Sequence, residues 1–217
     1  MKRLFPCLLL CLFALSALSA CARKPASTAD VPRLLSKRYQ IAVAPFSQPL
    51  HAGQLISGQI PEDQGRIPQD ELLALDTDLR DALQRETKRQ YNFIPAPTLQ
   101  NDDFAHASGQ PTGLARWLAY GKKHNAQLLL VPQVLNWHER EGSQAGVSSS
   151  AHVRLEFFLL NIPENGVEGR SVFEEKQVGL ADDLLSVGNF VKRRGQWVTA
   201  GQLSREAMLK AVRELGL

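Results

Sequence analysis

The amino-terminal end restricts most strongly what this 217-residue chain can fold into. Lys2 and Arg3 form a positive head, residues 4–18 are almost wholly apolar, and Cys21 comes after a pair of small residues. A basic head, an apolar run too short to span a bilayer comfortably, and small residues at a cleavage site are typical of a secretory signal. We therefore expect export, removal of residues 1–20, and a body that folds from the remaining 197 residues, 21–217.

The four residues at this cleavage site, Leu18-Ser19-Ala20-Cys21, resemble the lipobox of bacterial lipoproteins. In that family the cysteine thiol is diacylglycerylated, the signal is cleaved before it, and the new amino group is usually acylated. The resemblance implies that lipid on Cys21 anchors the protein, and Ala22 in place of Asp favours the outer membrane, facing the periplasm. The alternative is an ordinary secretory signal, or an uncleaved anchor, with a cysteine there by chance.

Cysteine usage and charge exclude several classes of chemistry. Cys7 and Cys11 leave with the signal and lipid consumes Cys21, so we expect no disulfide framework, thiol nucleophile or cysteine metal site. Without Lys2 and Arg3 the net charge falls from +3 to about +1, which does not indicate nucleic-acid binding. No second apolar run is long enough to cross a membrane.

Apolar periodicity predicts a flexible tether over residues 21–37 and a single globular α/β (α+β) domain over residues 38–217. The predicted order is β-α-β-α-β-β-β-α, with one mixed sheet of about five strands packed by about three helices. The predicted strands are 39–46, 91–95, 128–135, 152–159 and 170–178, and the predicted helices are 69–90, 112–124 and one that starts at 199. The first helix is predicted to carry one apolar stripe: Leu72, Leu75, Leu79, Ala82 and Leu83.

Short local signals refine these elements. Thr199 and Gln202 have the spacing of a capping box, and Asn165-Gly166 predicts a hairpin turn. Pro132 cannot donate a backbone hydrogen bond, so it predicts a bulge or an edge position.

Three segments carry predictions about burial. Residues 50–68 have no convincing period and predict an exposed loop. The run 128–135 is apolar without alternation, which indicates a central strand covered on both faces. Residues 152–159 alternate between apolar and polar side chains, which predicts a strand with one wetter face.

The opening strand Ile41-Ala42-Val43-Ala44-Pro45-Phe46 and the later run Asn125-Ala126-Gln127-Leu128-Leu129-Leu130 carry a resemblance to a group of envelope proteins. The group includes the amino-terminal domain of TolB, the lipoprotein activators of penicillin-binding proteins, and the curli-secretion lipoproteins. The resemblance covers most of residues 38–217 and implies a binding or regulatory role. The curli-secretion proteins insert long hairpins to build a pore, and this chain has no comparable segment.

No catalytic motif emerges from the sequence. It contains neither a Gly-x-Ser-x-Gly elbow nor a phosphate-binding glycine loop, and its histidines lack metal-pair spacing, so we expect no enzyme, no metal and no cofactor. Adjacent carboxylates such as Glu174-Glu175 and Asp182-Asp183 are interpreted as solvated pairs. A hydrolase that uses Glu174 or Asp182 is the remaining catalytic alternative.

Aromatic and basic residues in or beside predicted loops form a candidate interface: Trp137, Phe190, Trp197 and the cationic run Lys192, Arg193 and Arg194. Tryptophan often anchors interfaces, and a dense positive cluster suits anionic lipid or glycan. The structural alternatives are a lid over the core for the aromatic residues, a hydrophobic staple for Trp197, and a solvated loop for the cations.

Together these features favour a membrane-anchored, non-catalytic interaction or regulatory module of an envelope assembly for cell-wall synthesis, transport or secretion. The expected partners are the bilayer, through acylated Cys21, and an envelope protein complex. The alternative is a periplasmic binding protein for a small ligand or glycan, with loops 47–68 and 180–198 as the rim of its pocket.

Overall fold

The computed structural model describes residues 34–95, 113–143, 146–177 and 197–217. Within them lie three α-helices, α1 (Gln69–Glu86), α2 (Gly113–Lys123) and α3 (Ala200–Glu214), and a short 3₁₀ helix over Ala52–Gln54. The strands are β1 (Ile41–Val43), β2 (Tyr91–Phe93), β3 (Leu128–His138), β4 (Glu141–Ser143), β5 (Gly146–Ser149), β6 (His152–Asn161) and β7 (Gly166–Lys176).

Five of these strands form one mixed sheet in the order β2-β1-β3-β6-β7. β1 runs parallel to both neighbours, with Ile41 opposite Tyr91 on one side and Leu128 on the other. β3, β6 and β7 follow as antiparallel neighbours. The predicted mixed sheet of five strands and three helices is confirmed. The small β4–β5 hairpin was not predicted.

One side of this sheet, the first face, packs against α1 and α3. The apolar stripe predicted for α1 is confirmed, because Leu75, Leu79 and Leu83 are at most 2% exposed. α3 contributes Leu203 and Ala207 to the same core, in which the sheet side chains of β3 and β6 are enclosed. Among the described residues, this core has more buried apolar members than the cluster on the opposite side of the sheet, and buried apolar surface stabilises by about 25 cal/mol per Å².

The opposite side of the sheet, the second face, is covered by α2 over only part of its length. Trp117 and Leu118 of α2 pack on Leu129, Phe158 and Leu160 of the sheet. We call this part of the second face the apolar half. Farther along β3 and β6 the same face carries polar side chains, and residues 47–67 cover it instead of a helix.

Two of the local signals are present as predicted. The Thr199 hydroxyl oxygen accepts the Gln202 N–H at 3.1 Å, and the Gln202 side chain accepts the Thr199 N–H at 2.9 Å, which completes the capping box. Asn165 has a φ of 53°, the left-handed conformation that a tight hairpin turn requires. α1 ends four residues earlier than predicted, because Thr87 adopts an extended backbone.

The prediction of a bulge or an edge position at Pro132 is wrong. Pro132 lies inside the central strand β3, opposite Phe157, and the register shifts farther on, between Val134 and Asn136. The Pro132 carbonyl accepts the Ser47 N–H, so the Pro132 nitrogen faces the same side of the strand. The Ala44 N–H still donates to the Leu130 carbonyl, so the regular ladder with β1 ends where Pro132 supplies no donor. Contact resumes at the isolated bridge between Ser47 and Gln133.

The prediction of a wetter face along β6 is only partly correct. His152 and Arg154 are half-buried, but Phe158 and Leu160 on the same side are enclosed under α2. Glu156 is also 0% exposed although it carries a carboxylate. Strand alternation reports which side chains share a face, whereas burial depends on what packs over that face.

The prediction that residues 50–68 form an exposed loop is only partly correct. Residues 57–59, 62 and 63 are exposed, but Leu55, Ile56 and Ile67 are all at most 9% exposed; Ile56 packs on the second face and Ile67 in the first-face core. The segment's apolar residues are too widely spaced to show a period, so only the tertiary contacts reveal their burial.

Among the helices of the described residues, none combines the length and apolarity that a membrane crossing requires.

Candidate functional site

Among the described residues, a group of interacting polar side chains lies on the second face, beyond the apolar half, and we call it the polar half. Strand register aligns its members in rows, since Gln133 is opposite Glu156 and Asn136 is opposite Arg154. β7 extends the second of these rows with Glu174. Side chains that share a face across antiparallel strands are direct neighbours, so these groups contact one another.

The centre of the polar half is the fully buried Glu156 carboxylate. Its Oε2 accepts hydrogen bonds from Arg170 Nε at 3.0 Å and Nη2 at 2.7 Å, and its Oε1 accepts one from Arg154 Nη2 at 3.2 Å. The Arg170 guanidinium also lies 5.5 Å from the ring centroid of Phe158. A buried carboxylate requires such compensation, because an unpaired charge in this position would be strongly destabilising.

Two histidines border this ion cluster. The rings of His138 and His152 stack, with centroids 6.1 Å apart. His152 Nδ1 lies 3.2 Å from the Asn136 amide nitrogen, which is a donor, so the proton of neutral His152 resides on Nε2. That nitrogen faces Glu174 Oε1 at 3.5 Å. His152 and Glu174 therefore form a partly solvated pair at the rim of the polar half.

The segment 47–67 covers the polar half through backbone hydrogen bonds. Gln133 Nε2 donates to the Gln54 carbonyl at 3.2 Å, and the Gly65 N–H donates to Asn136 Oδ1 at 2.7 Å. A Cβ on Gly65 would overlap the Trp137 carbonyl oxygen, so glycine permits this close approach. An irregular backbone segment cannot satisfy all of its own N–H and carbonyl groups, so the buried amides of Gln133 and Asn136 supply hydrogen-bond partners for it.

Most polar side chains of the polar half already form hydrogen bonds or ion pairs with one another or with the covering segment. Glu156 is enclosed by two arginines, and His152 is bonded to Asn136. Among the described residues, no three His, Cys, Asp or Glu side chains are grouped to hold a metal ion. The cluster orders the sheet face and its covering segment, and Glu174 is its most exposed member, at 49%, ahead of Arg170 at 36%.

A second polar feature lies at the other end of the sheet, where β1 and β2 begin. Residues 37–41 and 88–92 line an open groove there, which we call the root groove because the chain enters the described domain beside it. Its cationic residues are Lys37, Arg38, Lys88 and Arg89. No aspartate or glutamate is among the described residues that line it.

A third feature is a small cavity beside the carboxyl ends of β1 and β2. Arg80 lies over the Phe93 ring at 4.6 Å, and Asp76 Oδ1 accepts the Phe46 N–H at 2.7 Å. Burial raises the pKa of Asp76 above its ordinary value, with the Phe46 hydrogen bond and the Arg80 charge acting in the opposite direction. Asp76 fixes the chain after β1 and has no ion pair comparable to that of Glu156.

The structure describes two of the six predicted interface residues. Trp137 is 4% exposed and packs in the first-face core, so its interpretation as an interface anchor is corrected to the core alternative. Trp197 is half-buried just before the cap of α3. Phe190, Lys192, Arg193 and Arg194 lie outside the described residues, as do Cys21 and Asp182.

Sequence reasoning missed both the polar half and the root groove. Gln133 and Asn136 interrupt an otherwise apolar strand, and this interruption was the available signal for buried polar partners. The root groove had a weaker signal, since Lys37-Arg38 and Lys88-Arg89 are separated by fifty residues and meet only through the parallel pairing of β1 and β2.

No protein-family model matches this sequence, and no curated protein matches it significantly. Among solved structures, the chain is similar to the PelC dodecamer from Paraburkholderia phytofirmans, at 12% identity and a TM-score of 0.48 over 85% of this chain and 91% of that one. It is also similar to protein XCC0632 from Xanthomonas campestris, at 12% identity and a TM-score of 0.42 over 85% and 86%. Lipoprotein GNA1162 from Neisseria meningitidis matches at 10% identity and a TM-score of 0.36 over 72% and 97%. At these TM-scores the likenesses carry no argument about function, and the resemblance to the TolB group stays a prediction.

Proposed function

We propose that this protein is a lipid-anchored envelope lipoprotein whose body acts as a non-catalytic interaction or regulatory module of an envelope assembly. The observation that carries the proposal is the string Leu18-Ser19-Ala20-Cys21 at the end of an apolar run with a basic head. The lipid on Cys21 anchors the protein, because each buried methylene contributes about 0.8 kcal/mol. Ala22 supports delivery to the outer membrane, with the body in the periplasm.

The arrangement of the polar half supports a non-catalytic role. Its most buried acid, Glu156, accepts three hydrogen bonds from two arginines, so its oxygens are already engaged. A general acid or base must instead reach a substrate proton within hydrogen-bond distance. Gln133 and Asn136 likewise bond the covering segment. These groups stabilise a shape that a partner protein can recognise.

The small-ligand alternative has less support. The segment 47–68 is attached to the sheet through Gly65, whose N–H donates to Asn136 Oδ1 at 2.7 Å, and through the buried Leu55 and Ile56. The first of the two predicted pocket rims, loop 47–68, therefore covers the polar half. The second, 180–198, falls almost wholly outside the described residues.

Replacement of the anchoring cysteine tests the first part of the proposal. Cys21→Ser is compared with Cys11→Ser, a matched control because residue 11 leaves with the signal. We expect the control to enter the membrane fraction with an acylated amino-terminal cysteine by mass spectrometry, and Cys21→Ser to stay soluble or signal-retaining. Normal processing of Cys21→Ser together with outer-membrane recovery would contradict the anchor.

A pull-down from detergent-solubilised membranes tests the second part. The acylated protein with a carboxyl-terminal tag is cross-linked in cells and recovered, with the tagged Cys21→Ser protein as control. We expect the acylated protein to recover a defined set of envelope proteins that the unanchored control recovers in smaller amounts. Repeated recovery of no protein partner would refute the interaction role and leave the anchor result intact.

A further inference from the structure

The root groove lies where the chain enters the domain from the tether. Leu35 N–H donates to the Gly216 carbonyl at 2.9 Å, so the chain is fastened to the domain from Leu35 onwards. Leu34 is the first described residue, thirteen positions after Cys21. Thirteen residues span at most about 45 Å when fully extended. A lipid on Cys21 therefore keeps this end of the domain within that distance of the bilayer.

Arg89 organises the groove rather than leaving it as a set of loose side chains. Its Nη1 donates to the Ser36 carbonyl at 3.0 Å and to the Tyr39 carbonyl at 2.9 Å, and its Nη2 donates to the Leu35 carbonyl at 2.6 Å. This clamp holds residues 35–39 beside residues 88–92. Lys37, Arg38 and Lys88 are exposed along the same groove.

Exposed apolar side chains accompany these cations. Tyr39 lines the groove and is 46% exposed, and Leu34, which directly precedes the clamped residues 35–39, is 83% exposed. Basic residues combined with exposed leucine and aromatic side chains are typical of surfaces that lie on a membrane interface. A groove that contained only lysines would not show this combination.

We propose that the root groove binds the anionic phospholipid headgroups of the membrane that holds Cys21. This inference rests on the proposed lipid anchor for its geometry. Lys37, Arg38 and Lys88 contact the headgroup phosphates, and Leu34 and Tyr39 enter the interface beside them. The lipid restrains the chain at one point, and the groove supplies a second contact that orients the domain. The opposite end of the sheet, where His138 is paired with His152, is then directed away from the bilayer. Because the lipid already holds the chain at the surface, the groove meets the headgroups at a high effective concentration, so even a weak groove contact forms.

Vesicle co-sedimentation tests the groove independently of acylation. The chain from position 21 to Leu217 carrying Cys21→Ser is mixed with vesicles of phosphatidylcholine alone or of phosphatidylcholine and phosphatidylglycerol at three to one. We expect binding to the anionic vesicles only, and a marked loss of binding when salt is raised, because exposed charges are screened. Equal binding to both vesicle types, or to neither, would overturn the proposal.

Charge reversals locate the contact on the domain. Lys37→Glu with Lys88→Glu is compared with Arg66→Glu with Lys176→Glu, which makes the same change in net charge at the opposite end of the sheet. We expect the first pair to weaken binding to the anionic vesicles more than tenfold and the control pair less than threefold, since each cation near an anionic surface contributes separately. Equal losses would assign the effect to net charge and overturn the groove.

A milder pair guards against misfolding. Lys37→Gln with Lys88→Gln removes the charges without introducing acids. Circular dichroism checks that the glutamate pair, the glutamine pair and the control pair fold like the wild type. We expect its affinity for the anionic vesicles to lie between that of the wild type and that of Lys37→Glu with Lys88→Glu. A glutamine pair that binds as tightly as the wild type would contradict the proposal. Because acylation is read out by mass spectrometry of Cys21, failure of the groove and failure of the anchor remain distinguishable.

Discussion

The two halves of the second face are covered by different kinds of element. In the apolar half, α2 places Trp117 and Leu118 on Leu129 and Leu160, and the contact is apolar throughout. In the polar half, an irregular segment covers buried amides and the Glu156 ion cluster. A helix satisfies its own backbone hydrogen bonds and can present a purely apolar surface, whereas an irregular segment needs polar partners from the sheet. The covering element therefore decides the chemistry of the strand beneath it.

Deletion of an apolar side chain should have the largest effect. Leu129→Ala removes a 0% exposed side chain from the centre of the apolar half. We expect a loss of about 3–4 kcal/mol in the free energy of unfolding, because α2 cannot collapse fully into the space. Urea denaturation followed by circular dichroism measures it. Leu73→Ala, at a side chain that is 56% exposed, is the control and should change stability by less than about 0.5 kcal/mol. Similar losses for the two would show that the apolar half adds little.

Removal of the central carboxylate should have the next largest effect. Glu156→Ala leaves Arg154 and Arg170 without their shared partner, at side-chain exposures of 23% and 36%. Loss of one partner of a fully buried pair costs about 3–5 kcal/mol, and the partial exposure of both arginines reduces our expectation to about 2–3 kcal/mol. Chemical denaturation at pH 7 measures it. Glu174→Ala, at a carboxylate that is 49% exposed, should cost under about 1 kcal/mol and serves as the control.

Loosening of the covering segment should have a smaller and more local effect. Asn136→Ala removes the acceptor of the Gly65 N–H, and an unpaired buried donor costs about 1–2 kcal/mol. Hydrogen exchange should accelerate over residues 63–67 while α2 keeps its protection. Asn161→Ala, which removes two exposed hydrogen bonds, one donated to Glu168 and one accepted from the Glu164 N–H, is the control. Uniform acceleration across both halves would mean that they open as one unit.

The smallest effect is expected at Asp76, a carboxylate that is not enclosed by two arginines as Glu156 is. The pKa of Asp76 is raised by burial, so its folded form prefers the proton, and its charge lowers stability as pH rises through the folded pKa. Asp76→Asn keeps an oxygen for the Phe46 N–H and removes that charge. We expect a gain in stability of less than about 1 kcal/mol at pH 7 that disappears as pH falls below 3.8. Thermal unfolding at several pH values measures this difference, and a gain independent of pH would contradict it.

Patterns within a few residues predicted much of the architecture. The α1 stripe, the Thr199–Gln202 capping box and the Asn165 turn all depend on neighbours along the chain, and the structure contains each of them. The mixed five-stranded sheet followed from the order of these elements. Local hydrogen bonds and side-chain periodicity arise from sequence spacing alone, so the sequence reports them directly.

The candidate surfaces depended on contacts between distant segments. Gln133 donates a hydrogen bond to the Gln54 carbonyl, which is 79 residues away in sequence. Arg89 donates one to the Leu35 carbonyl, 54 residues away. Trp137 was misassigned for the same reason, because nothing near it in sequence shows that the first-face core encloses it. The lipobox-like string, the domain's class and most helix boundaries were already encoded in short spans of the chain. The ion cluster, the covered polar half and the root groove required tertiary packing, since a polar residue becomes buried or exposed only when another segment lies over it.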